Sequence, residues 1–142
     1  CLGTDGAMWN NSNDIFREMK GISLIHTMNS GIRSLDTKTI LDMATVNGAM
    51  CFDLEKDYGT IEEGKKADFI LLETRTPHMQ PLRLGKKENV TSTLVFNATG
   101  QDVTDVFVDG RQVVKDRKLL TADVEYIMKK VKKASDKITA SL

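Results

Sequence analysis

Apolar residues recur at helical spacing in the first third of the chain. The first predicted helix covers residues 13–28 and ends at the stop signal Asn29-Ser30-Gly31. The second covers residues 37–48, with Asp36 or Thr37 as its N-cap. Two helices that follow a short apolar stretch at the N-terminus are typical of the closing part of an α/β unit.

A third helical stretch begins at Thr121 and carries an apolar stripe on one face. The stripe consists of Val124, Ile127, Val131, Ala134 and Ile138. Five lysines lie toward the C-terminal end of this helix, where cations are favoured: Lys129, Lys130, Lys132, Lys133 and Lys137. We interpret them as a solvent-exposed face, and not as a patch for nucleic acid or a membrane.

Short apolar runs separated by Gly, Pro and Asn predict strands in the second half of the chain. These runs cover residues 69–72, 94–96, 103–108 and 112–114. Asp109-Gly110 lies between the last two runs and predicts a hairpin with a type I′ turn. Residues 73–90 lack apolar periodicity and predict a long ordered loop, in which His78 makes a loop contact.

Charge and cysteine content limit the partners of the chain. Its 142 residues include 20 basic and 20 acidic side chains, so no net charge attracts nucleic acid or an anionic membrane. The sequence has no run of 18 or more apolar residues, and we expect a cytoplasmic protein that binds neither nucleic acid nor a membrane. Cys1 and Cys51 lie far apart and outside any Cys-x-x-Cys pattern, which predicts no disulfide framework and no thiolate zinc site. We expect both cysteines to be buried.

Asp5 is the strongest candidate for a catalytic residue. It ends a short apolar stretch and is flanked by Thr4 and Gly6. In a barrel of parallel strands, reactive groups sit where strands end and loops begin. Thr-Asp-Gly is also a common turn tripeptide, so an ordinary turn is the alternative for these residues taken alone.

Three ordered motifs resemble those of the metal-dependent amidohydrolases. Leu2-Gly3-Thr4-Asp5-Gly6 resembles the eighth barrel strand, and the segment 59–72 is similar to the Gly-x-Ile-x-x-Gly-x-x-Ala-Asp entry into the β-sandwich. The segment 106–114 resembles the closing hairpin. Thr76-Pro77-His78-Met79-Gln80-Pro81 and the segment 97–103 resemble most the chlorohydrolase-like branch, which contains the 5-methylthioadenosine/S-adenosylhomocysteine deaminases.

The resemblance implies an α/β fold, a C-terminal fragment of a (β/α)8 barrel with part of the accompanying β-sandwich. Residues 1–57 would form the end of the barrel, with its last strand and helices. Residues 58–120 would form a portion of the sandwich, and residues 121–142 the C-terminal helix. Since such a barrel takes about 250 residues, we read the sequence as part of a longer enzyme. The sheet edges left open should make the fragment associate.

The resemblance also implies the chemistry. One divalent metal ion, zinc with iron as the alternative, would be bound in the full-length enzyme, and Asp5 would be both metal ligand and proton shuttle. The enzyme would hydrolytically deaminate an adenosine-type nucleoside and form a homo-oligomer. The fragment alone should be inactive, because the family's His-x-His, its later histidines and its acidic proton donor must come from the preceding part of the enzyme. His26 and His78 match none of these motifs.

Two alternatives remain open at this point. Met8 and Trp9 stand where the deaminases carry small residues, so Trp9 could reshape the pocket, and hydrolases of aminotriazine or guanine-type heterocycles remain possible. The other alternative is a noncatalytic interaction module made of a small β unit and helices.

Overall fold

The computed structural model describes residues 1–30 and 35–140, in which four helices precede the first strand of a small sheet, a fifth lies between its first two strands, and a last helix follows the sheet. The helices are α1 (Ala7–Asn10), α2 (Ile15–Ser30), α3 (Thr37–Ala44), α4 (Val46–Met50), α5 (Val90–Phe96) and α6 (Val124–Thr139). The strands are β1 (Phe69–Leu72), β2 (Val103–Val108), β3 (Arg111–Lys115) and β4 (Lys118–Leu119). Two 3₁₀ turns, Pro77–Met79 and Gly100–Asp102, flank α5 along the chain.

The first predicted helix is confirmed as α2, and the second is divided into α3 and α4. Asp36 is the N-cap of α3, because its carboxylate accepts the Thr39 N–H at 2.8 Å. The division falls at Thr45, whose φ of −130° and ψ of −98° leave the helical region. The Thr45 hydroxyl donates to the Leu41 carbonyl at 2.8 Å, a local bond that competes with regular helical pairing. The predicted stop residue Gly31 lies outside the described residues.

The four strands form an antiparallel sheet in the order β1-β2-β3-β4. The predicted hairpin is confirmed: Asp109 and Gly110 both have positive φ, 48° and 76°, as a type I′ turn requires. A second reversal at Asp116 and Arg117, with φ of 47° and 64°, leads into β4. The sequence pattern did not predict this short strand, since neither turn residue is glycine.

The prediction of a strand at residues 94–96 is wrong, because these residues end α5. Val95 is completely buried and packs in the core with residues of α2 and α3. The Glu88 carboxylate accepts the N–H of Val90 at 2.7 Å, which satisfies a donor at the start of the helix. Tertiary packing therefore overrides the β-propensity of the run Val-Thr-Ser-Thr-Leu-Val-Phe.

The core joins residues from both predicted segments, 1–57 and 58–120. Its buried apolar side chains are Phe16, Met19, Ile40, Met79, Val95 and Ala98. Gly59 allows the loop after α4 to lie against that helix, since a Cβ there would come within 2.8 Å of the Val46 Cα. Its φ of +95° also favours glycine.

The prediction that both cysteines are buried is wrong. Cys1 and Cys51 are free and exposed. A single small residue outside a periodic pattern carries no information on which side of an element it lies, so sequence alone could not place these two thiols.

The sheet and α6 keep much of their apolar surface exposed. Ile70, Val106 and Val114 are aligned across β1, β2 and β3 on one face, while Phe69 stacks on Phe107 on the other, with ring centroids 4.5 Å apart. All the residues of these strands retain partial or full exposure. Apolar residues on both faces are typical of a sheet that is covered on both sides.

Helix α6 begins at Val124, three residues after the predicted start at Thr121. Its N-cap is Asp123, whose carboxylate accepts the Tyr126 N–H at 3.0 Å. The apolar stripe is exposed, with Val131 at 63% and Ile127 at 45% of full exposure. Across the part of the chain that the structure describes, every helix is too short or too polar to span a bilayer.

Candidate functional site

The segment that carries Asp5 is fixed at both ends. The Leu2 N–H donates to the Met43 carbonyl at 2.9 Å, and the Leu2 side chain packs against the core. Beyond Asp5, the Asn10 amide donates to the Thr4 carbonyl at 2.9 Å and to the Glu18 carboxylate at 2.8 Å. Asn10 thus ties the loop and α1 to α2, which holds the segment in one place relative to the helices.

Asp5 itself is exposed and occupies the left-handed region, with φ of 54°. Its Oδ1 accepts the Gly6 N–H at 2.7 Å. Residues 1–6 are not assigned to a strand, because a strand requires neighbouring strands and the described residues supply none beside them. The carboxylate is therefore oriented by its own turn, with Oδ1 engaged locally.

Asp5 fits a metal site as one ligand of several. A carboxylate oxygen is a common zinc ligand, but a catalytic site uses three protein ligands. Among residues 1–30 and 35–140, no group of three or more His, Cys, Asp or Glu side chains is placed to hold a metal ion. The sequence has two histidines in all, so the imidazole ligands of such a site would have to come from outside this chain.

The chain by itself is expected to bind zinc only weakly, because a single carboxylate provides neither the charge nor the tetrahedral ligand set of a stable site. Calorimetric titration of the chain with zinc should show no stoichiometric binding in the submicromolar range. A tight site that disappears in Asp5→Ala would contradict this expectation.

A second polar cluster centres on Asp102, which is 4% exposed. Its Oδ1 lies 2.9 Å from His78 Nε2, and its Oδ2 accepts the Thr99 N–H at 2.8 Å and the Thr99 hydroxyl at 3.0 Å. Burial raises the pKa of Asp102, but the hydrogen bonds from His78 and Thr99 outweigh it, so that the net pKa lies below its usual value. The predicted loop contact of His78 is confirmed.

The Asp102 cluster serves to hold the two 3₁₀ turns together. The Asn97 amide donates to the His78 carbonyl at 2.8 Å, and the Asp102 carbonyl accepts the Glu73 N–H at 2.8 Å. These bonds connect the loop before α5 with the turn after it. The sequence signal that could have revealed the cluster is the capping box of Thr99 and Asp102, three residues apart.

Asp14 links the helical part to this same turn. Its Oδ1 accepts the Phe16 N–H at 3.0 Å, and its Oδ2 accepts the Gly100 N–H at 3.0 Å. One carboxylate therefore supports the start of α2 and the turn before β2. Sequence analysis missed Asp14, since its partner lies 86 residues away.

Two open clefts, each of about 770 Å³, lie beside the sheet. The first is lined by the start of α2 and by Ile70, Val106 and Val114, and the second by α3, α4 and β1. Asp5 lines neither cleft. The structure thus places the predicted catalytic residue apart from these cavities, on an anchored and exposed loop.

Comparison with known proteins identifies the class of this fold. A profile of the amidohydrolase family matches residues 1–113. The chain therefore belongs to the amidohydrolase family.

Curated relatives cover nearly the whole chain. A 5-methylthioadenosine/S-adenosylhomocysteine deaminase from Syntrophus aciditrophicus is 36% identical over 146 residues, which cover 99% of this chain and 31% of the relative. A 5'-deoxyadenosine deaminase from Methanothermobacter thermautotrophicus is 39% identical, with 97% of this chain and 31% of the relative covered. The chain thus spans about 31% of the length of these relatives.

Solved structures show the same fold. An adenosine deaminase from Xanthomonas campestris with bound zinc superposes with a TM-score of 0.88 at 29% identity, over 97% of this chain and 30% of that one. An atrazine chlorohydrolase from Arthrobacter aurescens complexed with zinc gives a TM-score of 0.67 at 22% identity, over 88% and 27%. The second likeness concerns the fold alone.

Proposed function

We propose that the complete protein is a metal-dependent hydrolase that removes the amino group from adenosine-type nucleosides. The observation that carries this proposal is the similarity to named deaminases of such nucleosides over 97–99% of the chain. The position of Asp5 on an anchored loop supports it, because a fixed and exposed carboxylate can meet a substrate. The cytoplasmic location and the homo-oligomer remain predictions.

The proposed division of the chain follows the motifs. Residues 1–57 would complete a (β/α)8 barrel whose other strands come from the rest of the polypeptide, and residues 58–120 would contribute to a β-sandwich. Residues 121–142 would form a covering helix. The exposed apolar faces of the sheet support this division, since they require further layers of structure.

Asp5 would act as metal ligand and as proton shuttle. A divalent ion, for which we favour zinc, supplies a water molecule of lowered pKa when it is bound. Hydrolysis forms a C–O bond at the amine-bearing ring carbon, breaks the C–N bond and releases ammonia. The Asp5 carboxylate would accept the water proton and pass it to the departing nitrogen.

The proposal is tested by measuring ammonia release from the complete protein. The substrates are adenosine, 5'-deoxyadenosine, 5-methylthioadenosine, S-adenosylhomocysteine and an aminotriazine. Turnover of the nucleosides is the expected result. Turnover of the triazine alone would favour the second candidate, a hydrolase of aminated heterocycles, to which the fold likeness with the atrazine chlorohydrolase points. If none of the five compounds releases ammonia, the deaminase proposal is wrong.

A noncatalytic module is the remaining candidate. A complete protein that folds but binds neither the nucleosides nor the aminotriazine would favour it over either hydrolase. The same preparations can be used, because binding and ammonia release are measured separately.

A further inference from the structure

The side chain of Trp9 is a large aromatic ring that lies exposed on a fixed segment. It lies in α1, four residues after Asp5, and 76% of it is exposed, while the neighbouring Met8 is 80% exposed. The Asn10 bonds to Thr4 and Glu18 hold this short helix in place. An anchored loop that presents a large aromatic ring is typical of a binding surface.

The indole and the Asp5 carboxylate flank the same glycine. Trp9 Cδ1 lies 3.9 Å from the position that a Cβ on Gly6 would occupy, and the backbone N–H of Trp9 donates to the Gly6 carbonyl at 2.9 Å. Gly6 in turn donates its N–H to Asp5 Oδ1 at 2.7 Å. The indole therefore lies beside Gly6, the residue that follows the group proposed to transfer the proton.

We propose that Trp9 is a substrate-contact residue whose indole stacks on the aminated heteroaromatic ring of the substrate. This inference rests on the proposed function. Asp5 is proposed to transfer the proton during the reaction at the carbon that loses its amino group. The part of the substrate nearest to Asp5 is then the ring that contains this carbon, and not a distant substituent. A flat, electron-rich indole stacks well on such a planar base.

This stacking predicts how the substrates should respond to a change at Trp9. Every adenine nucleoside presents the same ring, so removal of the indole should weaken the binding of each nucleoside by the same factor. The chemical step should change little, because the ring is held in the ground state and in the transition state alike.

The experiment uses the complete protein with Trp9→Ala and Trp9→Phe, and Met8→Ala as the matched control. We expect KM for adenosine, 5'-deoxyadenosine and 5-methylthioadenosine to rise about tenfold in Trp9→Ala, equivalent to about 1.4 kcal/mol, with kcat within about twofold. In Trp9→Phe, KM should rise much less than in Trp9→Ala. Met8→Ala should leave KM unchanged, because this side chain has no aromatic face.

A second readout does not depend on catalysis. Binding of adenosine to the metal-free complete protein is measured by calorimetry, and Trp9→Ala should weaken it about tenfold. An unchanged Kd and KM in Trp9→Ala would overturn the inference, as would a loss that depends on the 5'-substituent. If the unmodified protein releases no ammonia but binds adenosine through Trp9, the contact stands while the proposed reaction fails.

Discussion

Asp5→Asn in the complete protein is expected to lower turnover by several orders of magnitude while folding stays nearly intact. The amide preserves the shape of the side chain but loses its charge and its basic oxygen, so it can neither bind the metal well nor accept the proton. Asparagine tolerates the left-handed backbone that Asp5 adopts, with φ of 54°. The measurement is kcat for 5'-deoxyadenosine together with the metal content of the purified protein.

Asp53→Asn provides a matched control for this experiment. Asp53 is also exposed and has a left-handed backbone, with φ of 57°. The same substitution there tests the effect of the amide on folding without touching the proposed site, so turnover should stay normal. Near-normal turnover of Asp5→Asn at unchanged metal content would remove Asp5 from the mechanism.

The second large effect concerns stability. Asp102→Asn should lower the free energy of unfolding by about 2–4 kcal/mol, because three donors on a nearly buried carboxylate would then face a neutral amide with a single oxygen. Urea denaturation of this chain would show the loss as a lower midpoint at unchanged m-value.

A surface pair serves as the control for Asp102. Asp136 accepts from Lys132 at 2.9 Å, and both side chains are mostly exposed. Asp136→Asn should cost no more than about 0.5 kcal/mol. A cost for Asp102→Asn that is no greater than this would show that the cluster does not stabilise the fold.

The Asp102 contribution should also depend on pH. Because the pKa of Asp102 in the folded chain lies below its usual 3.8, the folded state favours the charged form. This stabilisation is fully present above the unfolded pKa and is lost as the pH falls below 3.8 toward the folded pKa. The difference in stability between the unmodified chain and Asp102→Asn should therefore shrink in this acidic range.

Local signals in the sequence were sufficient where the structure depends on local contacts. The period of apolar residues predicted α2, and Asp36 predicted the start of α3, because capping and helical spacing act within a few residues. Asp109-Gly110 predicted the hairpin for the same reason, since the turn sets the register.

Prediction failed where distant contacts decide the structure. The run at residues 94–96 has the composition of a strand. Val95 nevertheless lies in a helix, where it is buried against residues of α2 and α3. Asp14 accepts a hydrogen bond from Gly100, and no local sequence pattern predicts a bond between residues 86 positions apart. The proposed role of Asp5 rests on its motif, because ligands from the rest of the polypeptide would be needed to define a metal site.

The link between Asp14 and Gly100 also has a consequence for synthesis on the ribosome. Phe16 and Met19 emerge before their core partners Val95 and Ala98, which emerge close to Gly100. At about 5–20 residues per second, the 86 residues between Asp14 and Gly100 take roughly 4–17 s to translate. During this interval α2 lacks these core partners, and the bond of Asp14 to Gly100 can form only after the turn before β2 has been made.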